Sequence, residues 1–167
     1  MKRLFLLRHA KAGFATSDHA RPLAKRGKRD AFWLGQYLKK SNLLPDYVLC
    51  SSAKRAKESL SQLSDGAGIS VPTHFYKDLY LASAEHMTRK IQSLDININA
   101  PMIIGHNPGL SMLFHNLAKN PPKDDRSLKY PTCMVSILDF DIDNWSDLKT
   151  NGGQLVACII PSDRIGQ

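Results

Sequence analysis

The sequence predicts an α/β domain: a three-layer αβα sandwich around a mostly parallel sheet, with an antiparallel hairpin at its C-terminal end. Three observations carry that prediction. Short apolar runs at 3–8, Tyr47–Ser51 and Pro101–Gly105 lack the alternation of half-exposed strands, so they read as strands covered on both faces. Longer stretches with helical spacing stand between them, the arrangement that builds parallel βαβ units. After Pro121-Pro122 two further strand-like runs, 134–140 and 154–160, are joined by a polar connection around Trp145, which suits a closing hairpin.

Each element has its own local signal. The first strand follows a basic start, Met1-Lys2-Arg3, which is also how a secretory leader begins. Arg8 and His9 cut its apolar run short and no small-residue cleavage site follows, so a buried strand is the better reading. A helix is expected over 22–41, where Ala31, Leu34 and Leu38, with the aromatics Phe32 and Tyr37, recur at helical spacing. A second helix is expected over 53–66, a short strand at Thr73–Tyr76 and a helix over 83–94, the only element the stretch before Pro101 has room for. The strand Pro101–Gly105 leads into a helix over 108–119, with Asn107 as its N-cap and Pro108 at its first position. The segment 119–129 is polar and proline-bearing and reads as a loop.

The 167 residues fit one domain, 1–167, able to bury a core, and 43% hydrophobic with 23% charged residues is an ordinary globular composition. No apolar run reaches the roughly 18 residues of a membrane helix, so no membrane association is expected. Cys50, Cys133 and Cys158 are odd in number and widely spaced, as expected of reduced core residues in a cytoplasmic protein. The six histidines lack metal-ligand spacing, so no metal or other cofactor is expected. The net charge of +8 favours an anionic partner. Most of the excess, in Lys25-Arg26-Gly27-Lys28-Arg29 and Lys54-Arg55-Ala56-Lys57, reads as solvated helix faces. Without an RNA-binding aromatic signature or a zinc finger, nucleic acid is not the expected partner.

Chemistry-bearing residues recur at one kind of place. Arg8-His9 follows the first strand, Ser51-Ser52-Ala53-Lys54-Arg55 the second, and Gly105-His106-Asn107-Pro108-Gly109 the fourth. Open α/β sheets bind ligands at the carboxyl ends of their strands. A lone histidine there is usually structural and a lone arginine usually solvated, but two of each converging on one sheet edge is costly unless an anion neutralises them. Helix N-termini at the same edge favour an anion too, and the arginine fork matches phosphoryl oxygens.

The segments Leu-Leu-Arg-His-Ala-Lys (Leu6 to Lys11), Arg-Pro-Leu-x-x-Arg-Gly (Arg21 to Gly27), Ser-Ser-x-x-Arg-Ala (Ser51 to Ala56) and Gly-His-Asn-Pro-Gly (Gly105 to Gly109) resemble, in order and spacing, the histidine phosphatase superfamily. Within it they are similar to the small SixA-type phosphohistidine phosphatases. The resemblance covers roughly the first 120 residues. It implies a phosphoglycerate-mutase-like fold and a site of His9, His106, Arg8 and Arg55, with Arg8, Arg55, Arg21 and Asn107 as substrate-binding candidates. It further implies that His9, neutral and with its other ring N–H given to a backbone carbonyl, attacks phosphorus. Arg8, Arg55 and a protonated His106 then stabilise the equatorial oxygens, and water hydrolyses phospho-His9.

Large members of that superfamily carry a glutamate as general acid two residues past a leucine after the third strand. Here that position holds Leu81. Glu85 and Asp18 are the remaining candidates for an acid, although Glu85 reads more simply as a first-turn helix charge. An alkoxide leaving group needs a delivered proton, whereas imidazole, with an unperturbed pKa of about 6.5, can leave protonated. The expectation is therefore a monomeric phosphohistidine phosphatase acting on a histidine-phosphorylated carrier or phosphorelay protein. The alternatives are a phosphatase for a small phosphate ester using Glu85 or Asp18, and a non-catalytic phosphate- or nucleic-acid-binding module using the net charge.

Overall fold

A computed structural model describes residues 1–166. Six strands form one sheet: β1 (Lys2–Arg8), β2 (Tyr47–Ser51), β3 (Thr73–Tyr76), β4 (Pro101–Gly105), β5 (Val135–Phe140) and β6 (Gln154–Ile159). The helices are α1 (Lys25–Lys40), α2 (Lys54–Ala67), α3 (Ala84–Gln92), α4 (Gly109–Leu117) and α5 (Asp125–Lys129).

The strand order is β3-β2-β4-β1-β5-β6. β1, β2, β3 and β4 pair in parallel, and β5 joins β1 and β6 antiparallel, as the sequence predicts. Side chains of the central strands are buried on both faces in two clusters. Leu4, Leu6, Leu49 and Ile103 pack with α3 and α4 residues on one side. Phe5, Leu7, Val48, Cys50, Met102 and Ile104 pack with α1 and α2 residues on the other. Two covered faces are why these strands read as unbroken apolar runs.

α1 and α2 lie against each other through reciprocal glycines. A Cβ at Gly35 would collide with the Leu63 carbonyl oxygen, and one at Gly66 with the Phe32 carbonyl oxygen. The helices therefore meet backbone to backbone. α1 buries Ala31, Leu34, Gly35 and Leu38, while the expected aromatic Phe32 turns outward because its carbonyl, not its ring, faces the crossing.

Two local expectations are corrected. The segment 119–129 is not wholly loop: Asp124 accepts a hydrogen bond from the Ser127 amide at 2.8 Å and caps the five-residue helix α5, too short to show a period in sequence. Asn107 does not cap α4. Pro108 occupies the cap position, and Asn107 Nδ2 donates instead to the carbonyls of Lys129 at 2.9 Å and Tyr130 at 3.1 Å. The hairpin connection runs through Trp145 as expected, and there Trp145 is buried in a short 3-10 turn and its Nε1–H donates to the Ile98 carbonyl at 2.7 Å. Cys50 and Cys133 are buried and Cys158 partly so. All three are free thiols, and burial pushes the Cys50 thiol pKa up to about 12.

Candidate active site

The sheet's strand order decides what meets at its carboxyl edge. Because β4 lies between β2 and β1, the chain after β1 turns to one side and the chain after β4 to another, opening a crevice at their ends. Arg8 is paired in register with Gly105, so the residues that follow, His9 and His106, stand opposite each other. The His9 amide donates to the Gly105 carbonyl at 3.2 Å, and the two imidazole centroids are 5.2 Å apart. β2 neighbours β4, which brings Arg55 in the first turn of α2 to the same point.

Arg55 is 4% exposed and links the two rings. Its Nε lies 3.3 Å from His9 Nε2 and its Nη2 3.3 Å from His106 Nδ1. An arginine only donates, so both of those ring nitrogens are acceptors. The remaining ring nitrogens are therefore the protonated ones. His9 Nδ1–H donates to the Ala10 carbonyl at 2.8 Å, the tautomer-fixing backbone bond expected from sequence. His106 Nε2–H donates to Ser51 Oγ at 2.7 Å, and that oxygen also accepts from the Ala53 amide.

Both histidines are accordingly neutral. Burial, followed by the charge of the arginines beside it, pushes the His9 pKa down to about 4 against the Ala10 bond that raises it. His106 falls to about 3, through burial and then through His9 and Arg55. In the free site a guanidinium donates to one ring nitrogen of His106, which leaves it without a second proton; the expected protonation concerns the site with a phosphoryl group bound.

Arg8 reaches the Tyr130 carbonyl through Nη1 at 3.0 Å, its Nε is buried without a partner among the described residues, and burial with the nearby Arg55 charge lowers its pKa. Arg21 donates from Nε to the Gly13 carbonyl at 2.9 Å and also faces the cleft. The cleft itself is about 200 Å³, lined by Arg8, His9, Lys11, Arg21, Arg55, Leu81, His106, Asn107 and Thr132 among others, with no carboxylate among its lining residues. Four permanent cations around so small a volume, with donors to spare, suit a tetrahedral dianion.

The two acid candidates fare differently. Glu85 lies exposed in the first turn of α3 and is not among the residues lining the cleft. Asp18 contacts Arg55, but its carboxyl is held down to about 2 by the Tyr80 hydroxyl, then by Arg55 and Arg21, so it carries no proton to give near neutrality. Leu81, at the place where an acid was sought, lines the cleft and is 56% exposed.

Sequence reasoning missed several contributors. Ser51, the last residue of β2, orients His106; the sequence places it in the Ser-Ser-x-x-Arg-Ala motif without giving it a role. Tyr130 is fully buried, donates its hydroxyl to the Leu6 carbonyl at 2.6 Å and accepts from Arg8 and Asn107 at its own carbonyl, and no sequence motif marks it. Asn107, expected to bind substrate, has its amide donors turned to backbone carbonyls. Lys11 and Thr132 join the lining. Among the described residues, no group of three His, Cys, Asp or Glu side chains is placed to hold a metal ion.

No family model matches the chain. It is 32% identical over 162 residues to an uncharacterized protein of Mycobacterium tuberculosis, covering 93% of this chain and 99% of that one. A solved structure from Nakamurella multipartitia named as phosphohistidine phosphatase SixA superposes with a TM-score of 0.82 at 26% identity, covering 96% of both chains. The protein histidine phosphatase SixA complexed with tungstate has the same fold, with a TM-score of 0.81 at 19% identity over 97% of this chain and 99% of that one.

Proposed function

Because this chain belongs to the histidine phosphatase superfamily, among its SixA-type members, we propose that it is a phosphohistidine phosphatase working through a covalent phospho-His9 intermediate, without a metal. The observation that carries this reading is the pair of neutral imidazoles bridged by Arg55, beside an otherwise unneutralised Arg8. Among the described residues, the lone pair on His9 Nε2 has one partner, a long contact to Arg55, and that contact is released when an electrophile arrives. A nucleophile of this kind needs no prior deprotonation.

In the first half-reaction, His9 Nε2 forms a bond to phosphorus as the bond from phosphorus to the substrate nitrogen breaks. The leaving imidazole departs neutral, keeping the proton it carried on its other nitrogen. Arg8 and Arg55 take the charge on the equatorial oxygens, which is where most of the catalysis in phosphoryl transfer arises. His106 is neutral before binding, and the phosphoryl dianion favours its protonation. In the second half-reaction, water attacks phospho-His9, inorganic phosphate leaves, and His9 returns to the neutral state held by Ala10. Side-chain cations supply what a metal would otherwise supply.

Three observations favour a protein-borne phosphohistidine over a small ester. Leu81 lines the cleft where an acid would stand. Asp18 is ionised and Glu85 faces solvent. The cleft of about 200 Å³ falls below the roughly 300–1,000 Å³ that encloses a small ligand. It takes a phosphoryl group and leaves what bears it outside.

Incubation with a histidine-phosphorylated carrier protein, with chelator present, should release inorganic phosphate, and His9→Ala should abolish the release. Full activity in His9→Ala, or turnover of a sugar phosphate with none of phosphohistidine, refutes the reading.

A further inference from the structure

Asp18 has no part in the mechanism above, yet it is the most heavily engaged carboxylate near the cleft. It stands on the loop between β1 and α1, and both ends of it hold Arg55. The Asp18 carbonyl accepts from Arg55 Nη1 at 2.7 Å, and its Oδ2 accepts from Arg55 Nη2 at 3.0 Å and from the Tyr80 hydroxyl. Oδ1 faces Arg21 Nη1 at 3.4 Å. Tyr80 in turn stands edge-on to His106, with ring centroids 5.4 Å apart, and the Arg55 guanidinium lies 5.8 Å from the Tyr80 ring centre. The loop is tied to the start of α2 next door, where Lys54 N–H donates to the His19 carbonyl at 3.1 Å and His19 meets Ser52 Oγ at 2.9 Å.

A guanidinium is a rigid plane with five donors, so fixing two of them fixes the direction of the rest. With Nη1 and one Nη2 hydrogen turned to Asp18, the edge left over carries Nε and the other Nη2 hydrogen. That edge faces His9 Nε2 and His106 Nδ1. We propose that Asp18, backed by Tyr80, is a positioning residue that sets the plane of Arg55 so that this inner edge faces the phosphoryl group between the two histidines. The proposal rests on the phosphatase reading of the site for its effect on turnover, and on geometry alone for the orientation of Arg55.

A positioning role differs in sign from two simpler ones. Removing a carboxylate makes the cleft more cationic, so binding of a ground-state anion is not weakened. What falls is the fit of Arg55 to oxygens whose charge grows in the transition state, and interactions made only there act on kcat. A proton donor would be equally disabled by Asn and Ala, whereas an Asn side chain keeps an oxygen that accepts from Arg55 or Tyr80.

The test compares wild type, Asp18→Ala, Asp18→Asn and Tyr80→Phe by three readouts. These are turnover of a histidine-phosphorylated carrier protein, inhibition by inorganic phosphate, and the NMR signal of the Arg55 Nε–H. Asp18→Ala should lose about 10²-fold in kcat, the scale of a misplaced catalytic group. Its inhibition by phosphate should be unchanged or tighter, and its Nε–H signal should be lost to exchange. Asp18→Asn should recover most of the turnover and the signal, with Tyr80→Phe between the two. Wild-type kcat in Asp18→Ala, Asn as impaired as Ala with the signal intact, or weaker phosphate inhibition in Asp18→Ala each overturns the proposal. If wild type turns over no phosphohistidine, the phosphatase reading fails, and the Nε–H signal across the four proteins still decides the positioning role.

Discussion

At the residue scale, the same burial that keeps His9 neutral also sets how the protein responds to acid. The His9 pKa lies at about 4 in the folded chain and near 6.5 in an unfolded one. Between those values the unfolded chain binds protons that the folded chain refuses, so stability falls as pH drops from about 6.5 toward 4 and is unaffected by this group above that window. His106, at about 3, adds to the same loss in the same direction. For activity the sign is favourable, since His9 stays neutral through mild acid. The acid limb of kcat/KM, after correction for the substrate's own titration, should lie near pH 4, and a limb near 6.5 would show that His9 is not held as described. Leu81 offers a second test at this scale. Leu81→Glu puts a carboxyl group into the cleft lining, and hydrolysis of alkyl and aryl phosphates should rise by up to about 10²-fold with little change on phosphohistidine. An unchanged ester rate would mean that the missing acid does not set the substrate preference.

At the element scale, the site depends on how helices are seated on the sheet. Arg55 belongs to the first turn of α2, and α2 is held by its backbone crossing with α1 at Gly35 and Gly66. Gly35→Ala drives a methyl into the Leu63 carbonyl. Such overpacking costs about 1–3 kcal/mol, so urea unfolding of Gly35→Ala should show a lower midpoint with an unchanged slope, and an unchanged midpoint would mean that the crossing relaxes freely. The same scale explains the corrections. Asn107 has the residue type and the spacing of a cap, but the carbonyls of Lys129 and Tyr130 compete for its side chain, and nothing local announces them. α5 was missed because five residues cannot display a helical period, although Asp124 followed by Ser127 left its cap visible.

At the scale of the whole molecule, the chain by itself determined the elements and the residues that could carry chemistry. The unbroken apolar runs reflect strands covered on both faces, a property of hydrophobic burial that a one-dimensional pattern records directly. Arg8, His9, Arg55 and His106 could be named because Arg8 ends a strand and the other three come shortly after one, and strand ends are where such a sheet meets a ligand. The tertiary structure decided what these residues became. Placing β4 between β1 and β2 set His9 opposite His106 and brought Arg55 to both, which fixed the two tautomers and left both rings neutral. It also gave Asp18 to Arg55 across 37 residues of chain and turned Glu85 away from the cleft. Protonation and orientation depend on burial and on partners distant in sequence, so they exist only once the chain has folded and the competing partners have been brought within reach.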